Sequence, residues 1–342
     1  MTTVKDILLR TTDFLGDKGV DQPRLEAELL LSHALGRSRM DLYLSFDQPL
    51  EDTELAALRA LVRRRANREP LYWILGSKGF HDIELLCHAE VLVPRSDTEA
   101  LVEAVLARLP EDLAGFVADV GAGTGAVGLA LASARPGLKV YETDVSAAAL
   151  ANTRANVGAL GLGQRVAVLE GPLLLPVPPH RPIDVVVSNP PYIPTGEIAD
   201  LDTEVGVHEP RLALDGGPDG LDVYRALLPE AARRCRIGVA VEIGHDQGRA
   251  VSSLFQQAGL VDVEVLPDLG GRDRVVLGRR RDARWPVVPG VALAPTGAAV
   301  VVPDVPAEAD RPAGDTVVVL DDAPEDVALD ENGDPLPIIV RD

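Results

Sequence analysis

The 342-residue sequence contains only two cysteines, 4% aromatic residues and no long apolar run. Cys87 and Cys235 lie outside any CxxC pair and have no histidine at metal-ligand spacing, which argues against a disulfide framework or a structural zinc site. No apolar run reaches the roughly 18 residues that a membrane span requires, and the first residues contain no signal-peptide core. These absences predict a cytoplasmic protein that holds no metal and has no membrane partner.

Positive charge is also scarce, because 33 Lys and Arg stand against 53 Asp and Glu, for a formal net charge of -20. Residues 301–342 contain twelve acids and two arginines, and so supply half of that charge. Nucleic-acid binding needs basic side chains that displace counterions from phosphates, so we expect no direct sequence-specific nucleic-acid binding. We interpret the one basic run, Arg63–Arg65, as a solvated face at a helix end.

The hydrophobic pattern divides the chain into four regions. Residues 1–69 have apolar residues at helical spacing and are predicted to form a small helical domain. Residues 70–95 are predicted to be a hairpin linker. Residues 96–281 alternate between helix and strand, as a catalytic domain of the α/β class does. Residues 282–342 are acidic and rich in proline, and we expect a disordered tail.

The pattern also predicts individual elements. The linker has strand-like runs at 71–76 and 83–86, and the tail has one at 317–320. The α/β region has seven strand candidates, at 116–120, 138–142, 166–170, 183–188, 237–243, 261–266 and 274–278. It has five helix candidates, at 97–109, 124–134, 146–159, 222–234 and 246–258. Such alternation indicates a mostly parallel sheet with helices on both faces.

A glycine-rich turn follows the first strand of the α/β region. Asp119 precedes the run Gly121-Ala122-Gly123-Thr124-Gly125, which leads into an apolar helix. Glycines are needed where a turn is tight and a ligand approaches bare backbone, and Asp144, after the next strand, can accept hydrogen bonds from both ribose hydroxyls. The pattern indicates a cofactor that contains adenosine. The Gly-x-Gly-x-Gly spacing, with Ala126 where a dinucleotide site more usually has glycine, favours S-adenosylmethionine.

A second motif, Asn189-Pro190-Pro191-Tyr192, follows the strand candidate 183–188. Ligands bind at the carboxyl ends of the strands of an open parallel sheet, so this loop should face the same cofactor. A planar nitrogen is a poor nucleophile, because its lone pair is delocalised. The Asn189 oxygen and the Pro190 carbonyl can accept hydrogen bonds from its two N–H groups and align it with a methyl donor, while Tyr192 offers a flat face. The loop therefore predicts methylation of an amide or an aromatic amine.

Taken together, these residues resemble the protein-(glutamine-N5) methyltransferases that modify the Gly-Gly-Gln loop of peptide-chain release factors. The resemblance covers about residues 4–281. Besides the two motifs and Asp144 it rests on the stretches 24–30, 69–71 with Gly76, 93–99, 209–210 and 270–276. It implies a Rossmann-like, seven-stranded, S-adenosylmethionine-dependent methyltransferase domain with a small N-terminal helical bundle that recognises the substrate.

The resemblance also implies roles for individual residues. Those expected to bind S-adenosylmethionine are Gly121, Ala122, Gly123, Thr124, Gly125, Asp144 and Asn189. Those expected to grip the substrate glutamine are Asn189, Pro190, Pro191 and Tyr192, of which Asn189, Pro190 and Tyr192 are the expected catalytic residues. The expected protein partner is a peptide-chain release factor.

Three features depart from the family pattern. Ser96 stands where the family often has proline. Pro172 and Leu173 stand where it usually has an Asp and then a bulky residue near the adenine, so an acceptor for the adenine amino group is missing. The acidic tail after Arg281 has no counterpart in the family core.

Three alternatives stay open at this point. A glutamine methylase of a ribosomal protein shares the loop, but the stretch Asp97-Thr98-Glu99 disfavours it. A methylase of adenine amino groups in nucleic acid also uses the loop, but it predicts a basic face. A non-catalytic protein-binding module that keeps the fold is disfavoured by the intact loop at 189–192.

Overall fold

The computed structural model describes residues 2–285, 291–293 and 299–301. The chain begins with four helices that pack on one apolar cluster, which includes Leu8, Leu30 and Leu58. The helices are α1 (Val4–Asp17), α2 (Pro23–Leu35), α3 (Arg39–Leu44) and α4 (Asp52–Ala66). Three of them agree with the helical spacing in the sequence, whereas the short α3 was not predicted.

The run at 71–76, predicted as a strand, is instead a helix, α5 (Leu71–Leu75). Pro70 precedes it, and Gly76 ends it in the left-handed conformation with φ 83°. Periodicity cannot separate strand from helix in so short an apolar run, so the flanking Pro and Gly decide the outcome. The second predicted strand of the linker is confirmed, because β2 (Ile83–Leu86) pairs antiparallel with β1 (Ser77–Phe80).

Residues 115–280 build a seven-stranded sheet. Its strands are β3 (Gly115–Val120), β4 (Leu138–Asp144), β5 (Val166–Glu170), β6 (Ile183–Ser188), β7 (Cys235–Glu242), β8 (Leu260–Pro267) and β9 (Asp273–Arg280). Their order is β5-β4-β3-β6-β7-β9-β8. The first five are parallel, and β9 runs antiparallel to both of its neighbours. All seven strand predictions are confirmed.

Helices cover both faces of this sheet. They are α6 (Glu99–Leu106), α7 (Ala126–Ala134), α8 (Ala147–Ala159), α9 (Asp222–Arg234) and α10 (Gly248–Gln257). Successive strand residues point to opposite faces, so Val117 packs in the cluster under α6, α7 and α8, and Ala118 in the cluster under α9 and α10. The predicted α/β class with a helical N-terminus is confirmed.

The Arg63–Arg65 run is not a solvated face throughout. Arg65 is buried, its guanidinium pairs with Glu26, and its Nη2 lies 2.6 Å from Glu204 Oε1. The prediction of a solvated run was wrong at this residue because a partner distant in the sequence, Glu204, reaches it. The pair ties α4 to the loop that follows the Asn-Pro-Pro-Tyr motif.

Packing continues past residue 281, where the tail was predicted to begin. The Arg279 Nη1 atom donates to the Ala283 carbonyl at 2.6 Å, and Trp285 packs against the core. Further along, β10 (Val291–Leu293) pairs antiparallel with β11 (Ala299–Val301). Most of the predicted disordered tail, including the run at 317–320, lies outside the described residues. Among the helices of the described residues, none has the length and apolarity needed to cross a lipid bilayer.

Candidate active site

The glycine-rich turn crosses from β3 toward the end of β4. Gly121, Gly123 and Gly125 have positive φ values of 74°, 59° and 80°, a backbone region that other residues rarely adopt. The N–H groups of Gly121 and Ala122 donate to the Thr143 carbonyl at 2.8 and 3.0 Å. A Cβ atom built on Gly121 or Gly123 would meet open space, so these two residues present bare backbone to a ligand.

Asp144, at the end of β4, is held beside this turn. Its Oδ2 accepts the Gly123 N–H at 2.9 Å and its Oδ1 accepts the Ser146 N–H at 2.8 Å. Each carboxylate oxygen can accept a second hydrogen bond. The carboxylate is therefore oriented and still able to accept two hydroxyl groups, as the ribose prediction requires.

A cavity of about 210 Å³ lies at the carboxyl ends of β3, β4 and β6. Six of the predicted site residues line it: Gly121, Gly123, Asp144, Asn189, Pro190 and Pro191. Four others are not among its lining residues: Ala122, Thr124, Gly125 and Tyr192. The structure thus brings the glycine turn, the ribose acid and most of the second motif together around one space.

Three of the residues that do not line the cavity, Ala122, Thr124 and Gly125, instead stabilise the conformation of the glycine-rich turn. Ala122 and Thr124 are buried, and the Thr124 carbonyl accepts the Asn156 Nδ2–H at 2.9 Å. The Gly125 N–H donates to the Ala122 carbonyl at 2.7 Å, and a Cβ atom on Gly125 would lie 2.8 Å from Leu129 Cδ1. Direct contact of these three with a cofactor stays a prediction.

The second motif begins where β6 ends. The Ser188 hydroxyl donates to the Val120 carbonyl at 2.6 Å and so fixes the end of β6 against the end of β3. Asn189 then faces the cavity, and its Nδ2 donates to Thr98 Oγ1 at 3.0 Å. With the amide nitrogen engaged in this way, the side-chain oxygen of Asn189 keeps its capacity to accept a hydrogen bond.

Tyr192 is turned toward the interior. Its hydroxyl donates to Glu242 Oε1 at 3.3 Å, and its carbonyl accepts the Gln247 Nε2–H at 2.9 Å. Burial, and next the charge of Glu242, raise the pKa of the Tyr192 phenol. Gly220 packs so tightly on this loop that a Cβ atom there would lie 2.2 Å from the Tyr192 carbonyl oxygen. The expected contact between the Tyr192 ring and a substrate stays a prediction.

Two residues near Asn189 were given no role from the sequence. Thr98 was noted only as part of a resembling stretch, and Glu242 was not singled out at all. Burial raises the pKa of the Glu242 carboxyl to about 7. The hydroxyl of Thr98 and the charge of Arg274 have the opposite, smaller effect and lower this pKa. The signal for Glu242 was available, since an acid that ends an apolar strand is the same feature that identified Asp144.

Two of the residues that depart from the family pattern, Pro172 and Leu173, were expected to lie near an adenine. Gly171, Pro172 and Leu173 line the cavity. Leu173 adopts a positive φ of 52°, and its carbonyl accepts the Thr143 hydroxyl at 2.8 Å. This corner presents apolar side chains from Pro172 and Leu173, and a weakened hold on the adenine stays a prediction.

Comparison with known proteins shows two family matches. The PrmC N-terminal domain matches residues 6–76, and the methyltransferase small domain matches residues 96–206. The chain is 44% identical to the release factor glutamine methyltransferase of Geobacter sulfurreducens over 81% of this chain and 96% of that protein. It is 44% identical to that of Caulobacter vibrioides, over 80% and 95% of the two chains, and 43% identical to that of Moorella thermoacetica, over 82% and 99%.

Proposed function

Because this chain belongs to the release factor glutamine methyltransferase family, we propose that it methylates the side-chain amide nitrogen of the glutamine in the Gly-Gly-Gln motif of a peptide-chain release factor. One observation carries the proposal. Asn189, an oriented amide, lines the same cavity as the glycine turn and Asp144. The hydrogen-bond acceptor for a planar nitrogen and the binding site for an adenosine-containing cofactor therefore lie in the same cavity.

The residues of the cavity fit S-adenosylmethionine. Gly121 and Gly123 offer bare backbone, and Asp144 keeps acceptor capacity for two ribose hydroxyls. When bound, this cofactor supplies an electrophilic methyl group. The contribution of the chain is to orient the amide that receives it, since holding two reactants in alignment can lower a barrier by about 7–11 kcal/mol.

Asn189 and Pro190 would hold the substrate amide. The Asn189 oxygen and the Pro190 carbonyl accept its two N–H groups, which keeps electron density on the nitrogen and fixes its direction. The nitrogen gains a methyl group and loses one proton, which becomes acidic only as the new bond forms. No dedicated base is needed before transfer.

The chain would be organised around this reaction. The helical domain of residues 1–69 would recognise the protein substrate, the hairpin linker of 70–95 would connect it to the catalytic domain of 96–281, and 282–342 would be an acidic tail. The pair between Arg65 and Glu204 supports this arrangement, because it joins the helical domain to the loop that follows Asn189. A bound release factor could thus touch both parts at once.

The test is mass spectrometry of the Gly-Gly-Gln peptide after incubation of purified protein, release factor and S-adenosylmethionine. We expect a mass increase of one methyl group on the glutamine. Asn189→Ala should slow turnover roughly 100-fold, as the loss of one preorganised polar contact does. A ribosomal protein and a DNA duplex, assayed in parallel, should stay unmodified, and methylation of either one in place of the release factor would overturn the proposal.

A further inference from the structure

The orientation of the Asn189 amide depends on Thr98. An asparagine amide carries an oxygen on one side and an NH₂ group on the other, and a half-turn exchanges them. Only the orientation with the oxygen toward the ligand can accept a substrate N–H. In the structure the NH₂ group donates to the Thr98 hydroxyl oxygen at 3.0 Å, and Thr98 is itself buried. The single proton of the Thr98 hydroxyl must then go to another acceptor.

That acceptor is Glu242, the last residue of β7, whose side chain is buried. The Tyr192 hydroxyl donates to its Oε1 at 3.3 Å, whereas its Oε2 is buried and accepts no other hydrogen bond from the described residues. Oε2 is thus left to accept the Thr98 proton, and the Thr98 hydroxyl lowers the pKa of this carboxyl. An ionised carboxylate can only accept hydrogen bonds. Thr98 must therefore donate to Glu242, and its oxygen lone pairs are left for the NH₂ group of Asn189.

We propose that Thr98 and Glu242 are positioning residues, which act through one another to hold the Asn189 amide with its oxygen toward the substrate nitrogen. The proposal rests on the proposed function for the identity of that nitrogen. The series of hydrogen bonds from Glu242 through Thr98 to Asn189 involves only residues of this chain and does not depend on the substrate. Neither residue needs to touch substrate or cofactor.

The order of these hydrogen bonds depends on the charge of Glu242. Once protonated, its carboxyl becomes a donor, and the Thr98 oxygen can accept from it. Thr98 is then free to turn its own proton toward Asn189, which favours the flipped amide. Because burial raises the pKa of Glu242 to about 7, this change falls within the working range of an enzyme.

Several charged and titratable groups face Glu242 from the elements around it. The guanidinium of Arg274, on β9, lowers its pKa, and Asp97, before α6, raises it. Arg274 Nη2 lies 3.2 Å from Asp97 Oδ2, so that the two charges partly offset each other. The phenols of Tyr192 and Tyr224 also face it, and burial raises the pKa of each, so both stay neutral donors near pH 7. Glu242 is therefore the group that titrates here.

The first test removes the Thr98 hydroxyl without changing its shape. Thr98→Val should lower kcat about 10- to 100-fold, less than or equal to the loss in Asn189→Ala, while the KM for release factor changes less than about threefold. Thr98→Ser, which keeps the hydroxyl, should restore kcat to within about threefold. Wild-type kcat in Thr98→Val would overturn the proposal.

The second test is the pH profile. Wild-type kcat should rise with pH through about 7 as Glu242 ionises. Glu242→Gln cannot ionise and should lose this rise. The matched control is Tyr224→Phe, which removes a buried hydrogen bond of 2.8 Å to the Glu242 backbone carbonyl. It does not change the hydrogen bonds among the side chains of Glu242, Thr98 and Asn189. Tyr224→Phe should unfold more easily but keep the wild-type profile, and a rise that persists in Glu242→Gln contradicts the proposal.

A third measurement needs no substrate. The side-chain amide of Asn189, followed by NMR, should shift with a midpoint near the pKa of Glu242, and the shift should vanish in Thr98→Val and in Glu242→Gln. If the wild-type protein failed to methylate a release factor while this titration was present, the proposed function would fall and the positioning order would stand. An Asn189 amide that does not respond to pH would overturn the positioning order whatever the substrate.

Discussion

The carboxylate of Glu142 occupies the space that a side chain on Gly128 would need. A Cβ atom built on Gly128 would lie 2.2 Å from Glu142 Oε1 and 2.8 Å from Val140 Cγ1. Gly128 lies within α7, the helix that begins at the glycine turn, and Glu142 lies on β4 with 0% of its surface exposed. The Gly128 N–H also donates to Asp119 Oδ2 at 2.8 Å. A glycine here lets the helix sit close above two buried acids.

This contact predicts that Gly128→Ala changes the free energy of unfolding in opposite directions in the wild type and in Glu142→Ala. Gly128→Ala should lower the free energy of unfolding by about 1–3 kcal/mol, because an extra methyl group is forced against a buried carboxylate. With Glu142→Ala already in place, the same change should raise it by about 0.5–1 kcal/mol, the usual advantage of alanine over glycine inside a helix. Urea unfolding of the four chains measures both values.

The four chains form a double-mutant cycle, which contains its own control because the substitution Gly128→Ala is the same in both backgrounds. If Gly128→Ala destabilised both backgrounds equally, Glu142 would not be the group that requires glycine. The clash with Val140 would then be the cause.

The two acids beneath the turn predict how stability varies with pH. Burial raises the pKa of Asp119 to about 7, and burial together with the charge of Asp119 raises the pKa of Glu142 well above its usual range. The folded chain therefore binds protons more tightly than the unfolded chain between the ordinary carboxyl range, near 4, and at least 7. Unfolding releases protons in this window, so stability should fall as pH rises through it.

Thermal unfolding at pH values from about 5 to 8 measures this slope. Glu142→Ala should reduce the slope, because it removes one of the two carboxyl groups whose pKa is raised in the folded chain. Glu197→Ala, at an exposed site, is the matched control and should leave the slope unchanged. A wild-type melting temperature that rises steadily over this range would show that the pair is ionised in the folded chain.

Asp144 should matter to the cofactor and to the turn. Asp144→Ala should weaken binding of S-adenosylmethionine by about 1.5–3 kcal/mol, the scale of hydrogen bonds to a charged group. Since its carboxylate also accepts the N–H groups of Gly123 and Ser146, some of this loss should come from a less ordered turn. Calorimetry on the wild type, Asp144→Ala and Asp144→Asn separates the two effects, because Asn keeps one acceptor oxygen. Unchanged affinity in Asp144→Ala would mean that Asp144 is misassigned.

The sequence predicted the sheet better than it predicted the packing. All seven strands were found because buried strands are apolar runs between turns, and 166–170 and 183–188 match β5 and β6 residue for residue. The helix α5 was missed because five apolar residues fit either structure. Arg65 was misread because its partner Glu204 lies 139 residues away in the chain. Such partners are set by the fold and leave no local trace.

In the candidate active site, too, some residues could be recognised from the local sequence and others could not. Asn189 and Asp144 were identified because each follows a strand and carries a group whose chemistry suits the ligand. Glu242 also lies at the end of a strand, but its role depends on Thr98, which comes from a different element and is 144 residues earlier. The direction in which Tyr192 points depends likewise on Glu242 and Gln247. Residues that face a ligand can be recognised from their motifs, whereas the role of residues that orient them becomes evident only once the chain is folded.

Within the continuous described segment 2–285, packing against the core extends to Trp285. The disordered tail that the sequence predicts from residue 282 implies that a chain ending near Arg281 folds and acts normally. In the structure Trp285 packs against the core, where a Cβ atom on Gly238 would lie 2.6 Å from its Cζ2 atom. We therefore expect a chain that ends after Trp285 to match the full-length chain in melting temperature and methylation rate. A chain that ends after Arg281 should lose about 2 kcal/mol, less than the 3–5 kcal/mol of a fully buried tryptophan because Trp285 is half-buried.

The full-length variant Trp285→Ala separates loss of this side chain from loss of the acidic residues beyond it. It should lose the same stability as the chain ending at 281, and both should methylate release factor normally at low temperature, since Trp285 does not line the cavity. Two results would contradict this view. If the chain ending after Trp285 were less stable than the full-length chain, residues beyond 285 would contribute to the core. If it methylated faster, the acidic residues would restrain the substrate, as acids that cover a basic docking face would.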